Sequence, residues 1–405
     1  DVLHKTNTAL VHYLRGDDDH VYAIVSAPTP KGSWKLHWFE LGKQRELSGN
    51  VEALRIWASA YGDRFATDAS GRRLAIYRSH AGAQTRWHAT ADTDSCESGV
   101  ARFNCIPVAA GKVDSDSEFA ALRGHLGDQL LRPLLPVLAG ATSLLIAPDG
   151  PLALLPWDLL LVDGKSGHEQ WQISVTPSLA VLNATRQRGP ARPPRALLAL
   201  AASNGRVVKG EHWPALPYAA IEANAAVALF RGQGTMALLG NQATKSNLRR
   251  LADTGGLRKF QRLLVAAHGR FDSKRPLSNA IILAEEAHGQ TDDVLTVSDW
   301  VGMPLNSDLV VLSACDSAQG QLVSGEGLIG FSYALNVAGN RNLLATLWSV
   351  GDRAASDFVV EFLRNTKRGF GHVEALTRTK RAFSNHPDVR RRNPRVWGAF
   401  VLIGK

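Results

Sequence analysis

Cysteine is scarce in this sequence, with only Cys96, Cys105 and Cys315 among 405 residues. So few thiols exclude a disulfide-rich scaffold and are typical of a reducing compartment. A surface disulfide between Cys96 and Cys105, which lie in a polar stretch, stays open as an alternative. Metal binding by these two cysteines is disfavoured, because no second Cys or His pair lies at zinc-finger spacing. The sequence predicts neither a metal nor a cofactor.

Long apolar runs are also absent. No segment approaches the roughly 20 uninterrupted apolar residues that a membrane span needs, and the N-terminus lacks a charged segment followed by an apolar one. These absences predict a cytoplasmic protein with no membrane partner. Because Asp1 stands where an initiator methionine would, we expect the chain to begin within a longer polypeptide.

Negative charge is in deficit, which leaves a net charge of +9. Such an excess attracts acidic partners, but the basic residues are scattered along the chain. The densest cluster, Arg390 to Arg392 with Arg395, has no interleaved aromatic residues and no nucleic-acid-binding motif. We interpret this cluster as a solvated loop, and direct binding of nucleic acid is disfavoured.

Length and composition indicate a globular protein with two domains. The chain is 45% hydrophobic and 20% charged, and 405 residues exceed what one core usually holds. The Arg-, Pro- and Gly-rich stretch from Arg186 to Arg195 is the best linker candidate. We therefore predict one domain over residues 1–190 and a second over residues 191–405.

The second half alternates between strand and helix patterns. Continuous apolar runs occur at Leu263–Ala267, Leu309–Leu312 and Leu343–Leu347. Such runs suit strands that are buried on both faces, as in a parallel sheet between layers of helices. The pattern predicts an α/β layered domain.

Two apolar runs end at residues that could take part in catalysis, namely His268-Gly269 and Cys315. Ligands gather at the carboxyl ends of parallel strands, so these ends are the first place to look for a site. An imidazole next to a thiol favours the nucleophilic thiolate and can protonate a leaving amine. The backbone N–H groups of Gly269 and Cys315 would form an oxyanion hole.

A less specific interpretation is that Cys315 is a small buried core residue and His268 an ordinary strand-end histidine. The order His then Cys, with a spacing of about 50 residues, is also that of caspases. Spacing alone does not decide between the two interpretations.

A series of ordered motifs carries a family resemblance. The motifs are LVAAHGRFD from Leu264, PLS from Pro276, DLVVLSACDSA from Asp308, GEGLIG from Gly325, LWSV from Leu347 and WGAFVLIG from Trp397, preceded by APDGPLALLPW from Ala147, TPSL from Thr176 and GNQAT from Gly240. Together they resemble the CHAT family, caspase-like domains associated with tetratricopeptide repeats. The match runs from about Leu126 to the end, and more weakly from Ala9.

This resemblance implies a caspase-like three-layer αβα sandwich with a mostly parallel sheet. It also implies clan CD cysteine peptidase chemistry, the group of caspases and separase, with His268 and Cys315 at the catalytic positions. Residues 1–190 would then be a degenerate, pseudo-protease subdomain, and they contain no His-Gly or Ala-Cys strand end.

The substrate pocket is less well defined by sequence. Ser-Ala-Cys-Asp-Ser departs from the caspase signature, so specificity for aspartate is not carried over. In several relatives that cleave after basic residues, an acid lies two positions before the nucleophile, and here Ser313 occupies that position. The acidic candidates for the pocket are Asp316, Glu326 and Asp352, although each also suits a helix cap, a turn or a salt bridge. Trp348 suits either a pocket wall or the core.

The leading prediction is a cysteine endopeptidase with a protein substrate, controlled by a regulatory partner or by upstream repeats like those of the family. Bacterial members of the family take part in defence or cell death, which extends the prediction to such a role. The alternative is a non-catalytic CHAT module that binds or scaffolds other proteins.

Overall fold

A computed structural model describes most of the chain. It covers residues 7–28, 34–59, 65–67, 73–81, 84–90, 105–106, 115–208, 210–270, 276–286, 294–314, 320–323 and 327–405. Of the cysteines and candidate site residues named above, Cys96, Cys315, Asp316 and Glu326 lie outside these ranges. None of the helices described is long and apolar enough to cross a membrane.

The chain divides into two compact units, Asp1–Ile173 and Ser174–Lys405. This division falls before the predicted boundary at residue 190. The physical reason is that the Arg186–Arg195 stretch is held within the second unit: Arg188 donates to the carbonyl of Asn336, and Arg341 donates to the carbonyl of Gly189. The pseudo-protease character of the first part stays a prediction.

The first unit contains strands and helices in alternating groups. Its strands are β1 (Thr8–Arg15), β2 (His20–Pro28), β3 (Trp34–Lys43), β4 (Phe65–Thr67), β5 (Arg73–Ala81), β6 (Gln84–Thr90), β7 (Cys105–Ile106), β8 (Ser143–Ala147), β9 (Leu161–Val162) and β10 (Lys165–Ser166), and β11 (Gln172–Val175) begins at its end. Its helices are α1 (Gln44–Ser59), α2 (Ser115–Leu130), α3 (Leu135–Leu138) and α4 (Gly167–Gln170), with 3₁₀ turns at Arg132–Leu134, Gly150–Leu154 and Trp157–Leu159.

The main sheet of the first unit combines both kinds of strand pairing, in the order β8-β1-β2-β3. β1 runs parallel to β8, with His12 opposite Ala147 as the last pair, and antiparallel to β2. A buried residue alternates with a partly exposed one along β2, as expected for a strand with one face on the core. β5 pairs with β4, β6 and β7 in a second, antiparallel sheet.

The second unit has the alternating order that the apolar runs predicted. Its strands are β12 (Arg195–Ala201), β13 (Arg206–Val208), β14 (Glu211–Trp213), β15 (Thr235–Leu239), β16 (Phe260–Ala266), β17 (His268–Arg270), β18 (Ala280–Ile282), β19 (Val294–Thr296), β20 (Leu309–Ser313), β21 (Gly320–Val323), β22 (Gly327–Gly330), β23 (Asn342–Thr346) and β24 (Phe400–Ile403). Its helices are α5 (Leu179–Gln187), α6 (Pro217–Leu229), α7 (Lys245–Asp253), α8 (Val297–Val301), α9 (Phe331–Ala338), α10 (Asp352–Lys367), α11 (His372–Ser384), α12 (Val389–Arg392) and α13 (Pro394–Trp397), with 3₁₀ turns at Gly240–Gln242, Leu257–Lys259 and Pro276–Ser278.

The main sheet of this unit is mostly parallel, in the order β15-β12-β16-β20-β23-β24. Every pair from β15 to β23 is parallel, and β24 closes the row antiparallel to β23. The predicted α/β class with a mostly parallel sheet is therefore confirmed. The strand order changes direction between β12 and β16, and such a switch point opens a crevice beyond the carboxyl ends of the strands.

Short strands surround that edge of the sheet. β13 and β14 form a hairpin, and β17, β18 and β19 form an antiparallel sheet. The two are joined by a cluster of buried side chains, Val208, Ala280, Ile282 and Val294, against which Trp213 packs. β21 and β22 pair as a further hairpin. The carboxyl ends of β12 and β16 are thus followed by ordered structure.

Candidate active site

His268 lies immediately beyond the carboxyl end of β16, as predicted. Its ring atom Nε2 is 2.8 Å from the carbonyl oxygen of Pro214. A carbonyl oxygen only accepts hydrogen bonds, so Nε2 carries the proton and donates it. In the neutral ring the other nitrogen, Nδ1, then holds the lone pair that a general base requires.

The last residue of β14 and the segment that follows it contact this imidazole and set its orientation. The ring of Trp213 lies against that of His268, with 5.2 Å between the centroids and an angle of 50° between the planes. The same segment passes close to Gly205, where an added Cβ would lie 3.0 Å from the backbone N of Ala215 and 3.3 Å from the carbonyl carbon of Pro214. Gly205 therefore permits the close approach of the chain that orients His268.

The strand register relates His268 to the position of Cys315. β16 and β20 are parallel neighbours, and Ala266 is opposite Ser313 as their last registered pair. His268 and Cys315 each come two residues after that pair. Neighbouring strands lie about 5 Å apart, so the register favours both residues at one point of the sheet edge. Cys315 itself lies outside the described residues, and its position stays a prediction.

Gly269, predicted to supply an oxyanion-hole N–H, lies in β17 opposite Ile281. It directly follows His268, at the same edge of the sheet. The residue before Cys315 is also held in place: the Thr346 hydroxyl, at the end of β23, donates to the carbonyl of Ala314 at 2.9 Å. The backbone on both sides of the candidate site is therefore anchored to ordered strands.

Ser313, where the predicted pocket lacks an acid, contacts an acid from another element. Its hydroxyl donates to Oε2 of Glu222, a residue of α6, over 3.0 Å. The Glu222 side chain is 1% exposed. Burial raises the pKa of Glu222 to about 8, against the hydrogen bond from Ser313, which lowers it, and with a further increase from the negative charge of Asp352.

Asp352, a predicted pocket residue, is the first residue of α10. One of its carboxylate oxygens accepts the backbone N–H of Tyr218 at 2.9 Å, which caps the start of α6. Burial raises the pKa of Asp352, whereas that hydrogen bond and the charge of His268 lower it. Asp352 thus combines a capping contact with a place in the electrostatic environment of the histidine.

Trp348, predicted as a pocket wall or as core, is 2% exposed. Its indole N–H donates to the carbonyl of Arg395 at 2.8 Å. This contact ties the segment after β23 to the start of α13. Trp348 has the burial and the bonding of a core residue in this structure.

Sequence reasoning missed Trp213, Pro214 and Glu222. The Pro214 contact uses a main-chain oxygen. Every residue type has one, so the sequence does not indicate this contact. Glu222 lies in a helix whose other buried positions are alanines, and an isolated acid within an apolar helical pattern was the available signal. Among the described residues, no group of three or more His, Cys, Asp or Glu side chains is arranged to hold a metal ion.

A model of the CHAT domain matches residues 121–405. The chain belongs to the CHAT domain family. The resemblance inferred from the sequence motifs is therefore confirmed. No curated protein matches the chain.

Solved structures similar to this CHAT protein include peptidases. Two structures of the Saccharomyces cerevisiae separase–securin complex match it with TM-scores of 0.52 and 0.51 and identities of 11% and 10%. They cover 100% and 99% of this chain, which spans 30% of the separase chain in each case. The Arg-specific cysteine proteinase gingipain R matches with a TM-score of 0.40 and 12% identity, over 74% of this chain and 68% of its own. At these identities the separase likeness concerns the fold of the CHAT protein.

Proposed function

We propose that this CHAT protein is a cysteine endopeptidase in which Cys315 is the nucleophile and His268 the general base. The observation that carries the proposal is the state of His268, at the end of the strand next to β20. Its Nε2–H group donates a hydrogen bond to the carbonyl oxygen of Pro214, which leaves the lone pair of Nδ1 to accept the thiol proton. Membership of the CHAT family and a fold shared with separase support the same activity.

The reaction proceeds in two stages. In the first, Nδ1 of His268 takes the thiol proton and the sulfur bonds to the scissile carbonyl carbon. The backbone N–H groups of Gly269 and Cys315 stabilise the resulting oxyanion. The C–N bond then breaks as the imidazolium returns the proton to the leaving amine, and a thioester remains.

Hydrolysis of the thioester completes the cycle. Nδ1 takes a proton from water as the water oxygen attacks the thioester carbon. Collapse of the second oxyanion breaks the C–S bond and releases the carboxylic acid. The proton held by the His268 imidazolium then returns to the sulfur of Cys315, which restores the starting thiol. The net change is one peptide bond and one water converted to an acid and an amine.

We extend the proposal to the protein partner. An unregulated endopeptidase damages its cell, so a regulatory protein or upstream repeats would control this one in the cytoplasm, with a role in defence or cell death as in bacterial members of the family. Separase is in complex with a protein, securin, in the similar structures.

The experiment that tests the activity is labelling with peptide acyloxymethyl ketones that differ at P1, read by intact mass. Each probe is offered to the wild type, to Cys315→Ala and to His268→Ala. We expect one adduct in the wild type and none in either variant. The matched controls are Cys105→Ala, which removes another of the three thiols, and His125→Ala, an exposed histidine of α2.

Both controls should keep the adduct. An adduct that persists in Cys315→Ala would contradict the assignment of the nucleophile. A complete lack of adducts, while iodoacetamide still alkylates Cys315, would favour the non-catalytic binding module instead.

A further inference from the structure

Glu222 is an incompletely bonded acid in the interior of the second unit. Its Oε2 accepts the Ser313 hydroxyl, and its Oε1 has no hydrogen-bond partner among the described residues. A buried polar atom without a partner is costly, and a buried carboxylate without a counter-charge is more so. Glu222 therefore lacks, in this state of the protein, a donor for Oε1.

A second acid adds to the same electrostatic environment. Asp352 accepts one N–H from Tyr218, and its negative charge acts directly on Glu222. No Lys or Arg forms a salt bridge with either acid in the described part of the chain. The neighbouring Arg353 lies over the ring of Tyr218 at 5.9 Å, and the other charge that acts on Asp352 is that of His268. Each acid thus raises the question of a counter-charge, and no permanent cation of the described residues pairs with either of them.

The place of this acid pair is determined by the sheet. Ser313 is the last residue of β20, two residues before Cys315, and it touches Glu222 directly. With Cys315 as the nucleophile two residues after Ser313, the substrate residue whose carbonyl is attacked would lie at this strand end, with its side chain near Ser313. A cationic side chain here would donate to Oε1 and favour the ionised form of Glu222.

We propose that Glu222 and Asp352 form the acidic end of the pocket for the P1 side chain, and that this pocket selects arginine, with lysine second. The inference rests on the proposed function, because P1 has a meaning only if Cys315 attacks a peptide. Arginine is favoured over lysine because its planar fork of N–H donors suits a carboxylate and loses less solvation on burial. The acid that some relatives carry at the position of Ser313 would thus come from α6 in this protein rather than from β20.

The test compares P1 arginine with P1 citrulline, which has nearly the same shape without the charge. We expect kcat/KM of the wild type to be at least about 100-fold higher for arginine, because a site built for a charged donor rejects a neutral analogue. In Glu222→Gln the ratio should fall about tenfold or more. Asp352→Asn should lower it by a smaller factor, since Asp352 is more exposed and is already engaged by Tyr218.

The matched control is Glu286→Gln. Glu286 is also a buried acid of the second unit, and its Oε1 accepts the backbone N–H of Ser246 in α7. This variant should keep the wild-type ratio of arginine to citrulline. A fall in the ratio with Glu286→Gln would show that loss of any buried acid has this effect and would overturn the assignment.

The outcomes separate this inference from the proposed function. Probes with leucine, glutamine or citrulline at P1 that label Cys315 as fast as the arginine probe would overturn the pocket and leave the protease intact. Failure of every probe would remove the protease as well. If Glu222→Gln does not fold, the wild-type ratio together with Asp352→Asn decides: a ratio near one, or no change with Asp352→Asn, counts against the acidic pocket.

Discussion

Each unit contains a pair of parallel strands with an acidic side chain at their carboxyl ends, and the two ends differ in whether that acid has a cation beside it. At the end of β1 and β8, the carboxylate of Asp149 accepts both the side-chain and the backbone N–H of Arg15, at 3.2 and 3.3 Å. At the end of β16 and β20, Glu222 holds only the hydroxyl of Ser313. One end has its own cation and the other does not.

The difference in counter-charge indicates which of the two strand ends could bind a cationic group. Arg15 fills the first end so closely that a Cβ on Gly150 would lie 2.9 Å from its guanidinium Nε. Arg15 already balances the charge of Asp149 at this end, although Oδ1 of Asp149, like Oε1 of Glu222, has no hydrogen-bond partner among the described residues. At the second end no cation of the described residues pairs with Glu222, so its carboxyl group is available to a cationic group of a ligand.

The largest expected effect comes from removing the unsatisfied acid. The pKa of Glu222 is raised from its usual value near 4.5 to about 8, so the folded protein retains a proton that the unfolded chain releases. Its stability contribution is therefore complete below pH 4.5 and is lost as the pH rises through 8. The groups that face Glu222 are Ser313, Asp352 and, beyond Asp352, His268.

Glu222→Gln removes this titration. We expect little difference from the wild type at pH 4.5 and a gain on the order of 4 kcal/mol in the unfolding free energy at pH 8.5. Urea unfolding followed by tryptophan fluorescence measures it, with both proteins compared at each pH so that other titrations cancel. A constant difference across this pH range would mean that Glu222 has an ordinary pKa, and the contrast between the two strand ends would weaken.

A smaller effect is expected at the strand end where Arg15 pairs with Asp149. Arg15→Ala leaves Asp149, whose side chain is 10% exposed, without its cation, and we expect a loss of about 2 kcal/mol. The double variant Arg15→Ala/Asp149→Ala should recover part of this loss, which a double-mutant cycle measures by urea unfolding. Arg132→Ala, which breaks an exposed ion pair with Asp128 and Asp163, is the control and should have no measurable effect. Additive single effects would show that Arg15 and Asp149 do not stabilise each other.

The smallest effect tests the orientation of His268. A methyl group in Gly205→Ala must displace the Pro214 segment by a few tenths of an ångström. Because small misplacements of catalytic groups are costly, we expect kcat to fall about tenfold with KM little changed. Gly371→Ala is the control, since an added Cβ there meets nothing within 4 Å. Equal kinetics for both variants would imply that the Pro214 carbonyl does not orient the imidazole.

The sequence was informative about the fold wherever apolar periodicity was continuous. The runs at Leu263, Leu309 and Leu343 correspond to β16, β20 and β23, because parallel strands buried on both faces leave little alternative pattern. The first unit was harder. Helix α1 begins at Gln44, and its first turns are polar apart from Leu47, so they carry little apolar signal.

The site was predictable in part for a related reason. His268 ends an apolar run, and the family resemblance gave it a role, whereas Glu222 comes from a helix 46 positions earlier in the chain. Only the packing of α6 against the sheet brings Glu222 to Ser313, and no local pattern encodes such a tertiary contact. Trp213 was missed for the same reason, since the hairpin of β13 and β14 meets His268 only in three dimensions.

The main-chain partner of His268 has an evolutionary consequence. A side-chain partner disappears when its codon changes, but every amino acid brings a carbonyl oxygen to position 214. The hydrogen bond that sets the tautomer is therefore indifferent to the residue type there and depends only on the path of the backbone. Selection would act on the neighbours that shape this path, such as Gly205, so a comparison of related sequences would show conservation at those neighbouring positions and none at position 214.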